Sequence, residues 1–203
     1  MQLKISFGIP KTQRVKVARL FYEAFKIEFR KVFGPENKSI PIISRHLRND
    51  RTVVAINKGV VVGFAGLKFE GKGFIDISFL EMLREYKFEF LKILLFGCGF
   101  VLFRYIWMFL NKPKEKEMLL EALVVAEDMR NKKIGSKLLK FVIDFGYSME
   151  YKQIRLFVID ENEKAKRFYE RMGFEKTKTH KLIFPWNRLV GFDATIEMTY
   201  KIK

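Results

Sequence analysis

The sequence predicts an α/β fold: a single domain with a mixed central β-sheet flanked by helices, plus one apolar, helical insertion. Three observations carry this. Strand-like β-branched runs alternate with helix-period segments along the chain, the pattern of helices packed on sheet faces. Turn residues separate them, at Gly34-Pro35, Asn57-Lys58-Gly59 and Gly173. A length of 203 residues suits one well-buried core, with or without a large insertion, whereas two full domains would be cramped. The expected organisation is one domain over 1–203 with an insertion at 80–117.

The elements follow in order. Met1 to Pro10 alternates apolar and polar residues without an uninterrupted apolar core, so it reads as a first strand rather than a signal peptide. Lys11 to Phe33 places Val15, Ala18, Leu20, Phe21, Phe25 and Phe29 at three- and four-residue spacings, an amphipathic helix ended by Gly34-Pro35. A shorter helical stretch falls at Ile40 to Leu47. Thr52 to Leu67 holds two β-branched runs around Asn57-Lys58-Gly59, a hairpin signal, and a further short strand is expected near Phe74 to Phe79. After the insertion come a strand over Leu119 to Val125, a basic turn from Arg130 to Gly135 and a helix from Ser136 to about Ser148. A strand over Ile154 to Ile159, a helix from Glu163 to Met172 stopped by Gly173, and further strand between Leu182 and Ile202 complete the chain.

Composition narrows the function classes. Apolar residues make up 49% and aromatics 15%, as in a folded globular protein, with no low-complexity tract or internal repeat. The single Cys98 excludes an intramolecular disulfide and sits among apolar neighbours, where a thiol is inert packing. His46 and His180 stand near no Cys or acidic cluster at ligand spacing, so no metal is expected. A net charge of +16 produces a long-range positive field that attracts polyanions. The lysines are scattered and no nucleic-acid-binding signature accompanies them, so no specific nucleic-acid partner is expected. The compartment expected is the cytoplasm.

Three groups of residues carry chemistry. A strand that opens through a short basic turn into a helix gathers unpaired N–H groups and the positive end of the helix dipole at one point, where a pyrophosphate can bind. Arg130, Asn131, Lys132, Lys133, Ile134, Gly135 and Ser136 form that turn. Gly135 lets the backbone approach phosphates, the cations add charge and Ser136 adds a hydroxyl. The bland alternative is an ordinary turn on a lysine-rich surface. In the helix from Glu163, Ala165, Phe168 and Tyr169 lie on one side and Asn162 caps the start. Tyr169 then lines a cavity or is a core aromatic. Glu121 is a carboxylate in an apolar strand, on the same face as Leu123 and Val125 by alternation. It has either a cationic neighbour or a pKa raised toward that of a general base. Asp76 and Glu117 are weaker candidates of the same kind.

In this order the two late segments resemble the GCN5-related N-acetyltransferase (GNAT) family. Arg130 and Gly135 match the family's phosphate-turn pattern, with Lys133 standing where its first glycine belongs; if that position needs φ > 0, the lysine is strained there. Asn162, Ala165, Phe168, Tyr169, Gly173 and Phe174 match the second half of the pattern, and the hairpin with Gly59, Gly63 and Phe64 is similar to the family's central sheet. The resemblance implies acetyl-CoA as co-substrate. Leu123, Val124 and Val125 would offer the strand on which its pantetheine arm pairs, Asn162, Ala165 and Phe168 would help hold it, and Tyr169 would protonate the departing thiolate. It also implies a base on the strand of Glu121, acting directly or through water.

The apolar segment, Ile93 to Leu110 at its centre, barely approaches the roughly 20 residues that a membrane-spanning helix needs. Three readings remain: a helical hairpin packed on its own domain or on a second copy in a homodimer, a membrane-surface contact, or a cover over an acceptor or longer acyl chain. Gly97-Cys98-Gly99 does not open a dinucleotide fingerprint, because Leu102 occupies the third glycine position. The function expected is acetyl transfer from acetyl-CoA to an amine of a small-molecule or protein acceptor. The rival is a non-catalytic protein of the same fold that binds a membrane surface, a protein partner or a polyanion.

Overall fold

A computed structural model of the chain describes residues 3–25, 35–77, 115–182, 184, 187–188 and 191–202. In chain order the elements are β1 (Leu3–Phe7), α1 (Arg14–Ala24), α2 (Glu36–His46), β2 (Thr52–Asn57), β3 (Val60–Lys68), β4 (Glu117–Val125), α3 (Ile134–Ser148), β5 (Gln153–Ile159), α4 (Glu163–Arg171), β6 (Glu175–Lys181) and β7 (Ala194–Lys201). The strands form one seven-stranded sheet in the order β1-β2-β3-β4-β5-β7-β6. Every neighbouring pair is antiparallel except β4 and β5, which are parallel and joined through α3. A parallel pair needs such a crossover because no tight turn can return the chain to the same end of the sheet.

Helix α3 buries Ile134, Leu138, Leu139 and Val142 against β1 to β5. Helix α1 buries Val17, Ala18, Leu20, Phe21 and Tyr22, and it packs on β3, β4 and α2. Both stripes have the three- and four-residue spacing expected of a helix with one apolar side. Leu138 is fully buried, so truncating it to alanine removes roughly 2–5 kcal/mol of stability.

The expected single-domain sheet with flanking helices is the fold found. Helix α1 is seen from Arg14 to Ala24; the rest of the expected helix, 26–33, lies outside the described residues, as does the apolar segment from 78 to 114. The strand expected at Phe74 to Phe79 is replaced, as far as Ile77, by two isolated bridges, Phe69 with Lys72 and Leu47 with Ile75. The chain there ties to the end of α2 instead of joining the sheet. Strand β6, Glu-Lys-Thr-Lys-Thr-His-Lys, was not expected: it is a solvated edge strand paired only with β7, so it carries no apolar alternation. Among the described residues no helix is long and apolar enough to cross a membrane.

Candidate active site

Strands β4 and β5 pair only where Glu117–Leu120 meets Gln153–Leu156. Beyond that point they separate, while β4 stays paired to β3 through Val125. The β4 edge from Leu123 to Val125 therefore faces a gap with unclaimed backbone groups. That gap opens into a cleft of about 510 Å³. Its walls are Leu123 to Val125, the turn from Met129 to Asn131, Lys133 to Ser136 at the start of α3, and Lys164, Ala165, Phe168, Tyr169 and Arg171 of α4. Ala24 at the end of α1 closes it from the other side of the sheet.

The turn into α3 has two residues in the left-handed region, Asn131 at φ 62° and Lys133 at φ 58°. Lys133 is the N-cap residue, and no side chain caps the helix. The first-turn N–H groups of α3 consequently have no intrahelical acceptor and point, with the dipole, at the cleft. Holding a lysine at positive φ costs on the order of 1 kcal/mol, the strain anticipated for a residue in a glycine's place. A Cβ on Gly135 would meet Phe168 at 3.6 Å and Val125 at 3.7 Å, ordinary contacts. The fold itself thus does not require glycine there, and the open space belongs to the cleft. Four cations line the cleft, Arg130, Lys133, Lys164 and Arg171; Glu127 approaches Arg130 only at 4.0 Å.

Helix α4 starts where the Asn162 side chain accepts from the Ala165 N–H at 3.1 Å, the expected cap. It ends at Gly173, φ 89°, with Phe174 N–H returning to the Tyr169 carbonyl at 3.0 Å. Phe168 and Phe174 flank Tyr169 with ring centroids at 5.2 and 5.6 Å. Among the described residues the Tyr169 hydroxyl has no hydrogen-bond partner, and burial pushes its pKa above the ordinary tyrosine value. It is a neutral proton donor facing the cleft.

Glu121 sits at an irregularity in the sheet. Gly66 pairs with Ala122 and Leu67 with Leu120, passing over Glu121. Paired residues share a face, and a Cβ on Gly66 would lie 2.5 Å from the Phe74 ring, so Ala122 faces Phe74. Gly63, paired with Val125, faces Leu138 of α3 instead. The Glu121 carboxylate accepts from the Phe74 N–H at 3.1 Å. The bulge therefore breaks the alternation that would have put Glu121 on the face of Leu123 and Val125: it lies on the α1 and Phe74 side, next to the cleft but outside its lining. Burial raises its pKa above the usual carboxylate value, with the Lys68 charge and the Phe74 N–H acting in the opposite direction.

The cleft brings together Leu123, Val124, Val125, Arg130, Asn131, Lys133, Ile134, Gly135, Ser136, Ala165, Phe168 and Tyr169. It leaves out Lys132, whose Nζ donates to the Asp128 carbonyl at 3.0 Å, and Asn162, which caps α4. It adds Ala24, Met129, Lys164 and Arg171, which carry no spacing signal of their own. Glu117 is buried at 2% exposure and accepts from Gln153 at 2.8 Å and Arg155 at 3.1 Å. Asp76 is exposed and pairs with Arg48 at 2.8 Å. His180 bonds Glu197 at 2.9 Å. Among the described residues no group of three His, Cys, Asp or Glu side chains could hold a metal.

Residues 98–174 match the sequence model of the Acetyltransferase (GNAT) family. The Probable N-acetyltransferase camello of Xenopus laevis is 34% identical over 92 residues, which are 45% of this chain and 42% of that protein. The match thus spans less than half the length of this curated relative. Among solved structures, the N-acetyltransferase from Staphylococcus aureus Mu50 superposes with a TM-score of 0.64 at 17% identity, covering 97% of this chain and 100% of that one. Ard1 from Thermoplasma volcanium gives 0.61 at 15% identity, covering 100% and 99%. At such identities the structures show a shared fold.

Proposed function

We propose that the chain is a member of the acetyltransferase (GNAT) family, whose sequence model its residues 98–174 match, and that it transfers an acetyl group directly from acetyl-CoA to an amine. The observation that carries this reading is the splayed β4/β5 edge leading into a cation-lined cleft at the uncapped start of α3. That arrangement fits an extended polyanionic thioester: amides at a helix N-terminus and flanking cations for a pyrophosphate, and an open strand edge for an amide-bearing arm. Acetyl-CoA supplies the activated acetyl group when bound.

The chain's own residues divide the remaining work. Ile134, Gly135 and Ser136 offer backbone N–H groups to the phosphates, and Arg130 and Lys133 offset their charge. Leu123 and Val125 align the pantetheine arm through the backbone, which fixes the reacting carbon against the acceptor. Glu121, on the far side of the strand, takes the amine proton through a water molecule; its raised pKa brings it toward the range where a base is effective near neutral pH. Tyr169, kept protonated by burial, gives its proton to the sulfur that leaves. Donor and acceptor so approach from opposite faces of one strand.

A test is CoA release from acetyl-CoA in the presence of mixed peptide and small-molecule amines. Tyr169→Phe is expected to lower turnover by about 100-fold, the scale of one lost proton transfer, with acetyl-CoA affinity retained. Unchanged turnover in that variant would remove Tyr169 from the mechanism.

A further inference from the structure

The cleft residues leave unexplained why Glu121 holds any one direction. A residue at a bulge is released from the alternation that aims its neighbours. Its side chain has one hydrogen bond among the described residues, from Phe74 N–H at 3.1 Å. The strip that provides this N–H is fixed from several sides. Phe69 and Lys72 exchange backbone hydrogen bonds at 3.2 and 3.0 Å. The Phe74 carbonyl accepts from Arg48 N–H at 2.8 Å, and Asp76 N–H donates to the His46 carbonyl at 2.9 Å. The Phe74 ring is buried at 4% exposure, edge-on to Phe21 at 5.1 Å. Phe74 N–H is therefore an anchored donor rather than a loop amide that follows the carboxylate.

Gly73 completes the arrangement. Its φ is outside the left-handed region, so the backbone there does not demand glycine. What a side chain would meet is Glu121: a Cβ would stand 2.7 Å from Oε2 and 3.3 Å from both Cδ and Oε1. The carboxylate lies against the bare backbone of residue 73, in space that any other residue would fill.

We propose that Gly73 and the Phe74 N–H are the positioning residues for Glu121, the glycine by leaving room for its carboxylate and the amide by fixing which oxygen is held. The inference rests on the reading of Glu121 as the base. One oxygen is held by the strip and the other is left to take the amine proton through water. It also places the acceptor on the Phe74 side of β4, opposite α3.

The direct test is carbon NMR of the full chain labelled at the glutamate carboxyl carbon, with the Glu121 resonance identified by its loss in Glu121→Gln. In the wild type it should titrate above the ordinary glutamate range. Gly73→Ala should displace that resonance and raise its midpoint further, because the N–H that favours the charged form is lost. The acid limb of the pH–rate profile should move in the same direction. Shortening the acid in Gly73→Ala/Glu121→Asp gives the carboxylate room again and should recover any melting temperature lost in Gly73→Ala alone. An unchanged Glu121 resonance and midpoint in Gly73→Ala overturns the positioning role and leaves the base reading intact. Full turnover in Glu121→Gln overturns the base reading, and the positioning role with it.

Discussion

Glu117 and Glu121 stand four residues apart on one strand, and their surroundings are opposite. Glu117 is 2% exposed and enclosed by donors: Gln153 at 2.8 Å, and Arg155, which itself reaches Glu197 at 3.7 Å. Glu121 receives one backbone N–H and, among the described residues, no cation within ion-pair distance, so burial raises its pKa. Their place relative to the β4/β5 junction accounts for the difference. Glu117 lies where the strands are paired and β5 delivers Arg155; Glu121 lies just past the point where they part, so β5 delivers nothing. The separation that opens the donor cleft also leaves a carboxylate without its counter-ion. A buried carboxylate with its cation in place is held charged and is costly to strip of that partner, and one left short of partners is available to take a proton.

Breaking the paired end should have the largest effect. Arg155→Ala leaves Glu117 buried without its cation and is expected to cost about 3–5 kcal/mol in a urea unfolding experiment. A cost under about 1 kcal/mol would place this pair in the class of surface bridges.

Removing the charge at the other end should act on chemistry more than on folding. Glu121→Gln is expected to lower turnover by about 100-fold and to abolish the acid limb of the rate profile. The stability effect has a definite sign. Because the folded-state pKa is raised above the unfolded value, wild-type stability from this group is fully present below the unfolded pKa and is lost as pH rises through the folded pKa. Glu121→Gln should therefore unfold at a higher temperature than wild type near neutral pH, with the difference vanishing in acid. A variant less stable than wild type at neutral pH would mean that the charged carboxylate stabilises the fold.

Two smaller effects sharpen the contrast. Lys133→Gly relieves a left-handed lysine at the cost of extra freedom in the unfolded chain, for a net gain of about 0.5 kcal/mol by thermal melting. Lys68→Ala removes the charge that draws the Glu121 pKa down, so the acid limb should move to slightly higher pH. No movement would show that Lys68 is screened by solvent.

Much of this was legible in the sequence, and the gaps have physical causes. Apolar, β-branched runs mark β2 to β5, which bury consecutive residues on both faces, and an apolar stripe marks α3; α4 shows through its cap and its stop at Gly173. Strand β6 escapes notice because it buries almost nothing. The positive φ at Lys133 was anticipated from the glycine it replaces, whereas spacing could not tell that Lys132 turns away to Asp128. The side of the strand that Glu121 occupies was misread, since alternation assumes regular pairing and a bulge depends on how β3 and β4 meet. The pairing of Glu117 with Arg155 depends on the parallel register of strands 38 residues apart, which no local pattern encodes. Gly73 carries no sequence signal of its own, because what marks it is the Glu121 carboxylate lying 2.7 Å from where its Cβ would stand.

The central claim, that the splayed strands and the α3 turn form the site of an acyl-CoA donor, is tested most directly by the melting temperature with and without millimolar acetyl-CoA. A ligand that binds only the folded chain at about 100 times its Kd adds about 2.7 kcal/mol, so a clear upward shift is expected, diminished when Arg130 and Lys133 are both changed to alanine. An unshifted melting temperature at millimolar acetyl-CoA would contradict the account.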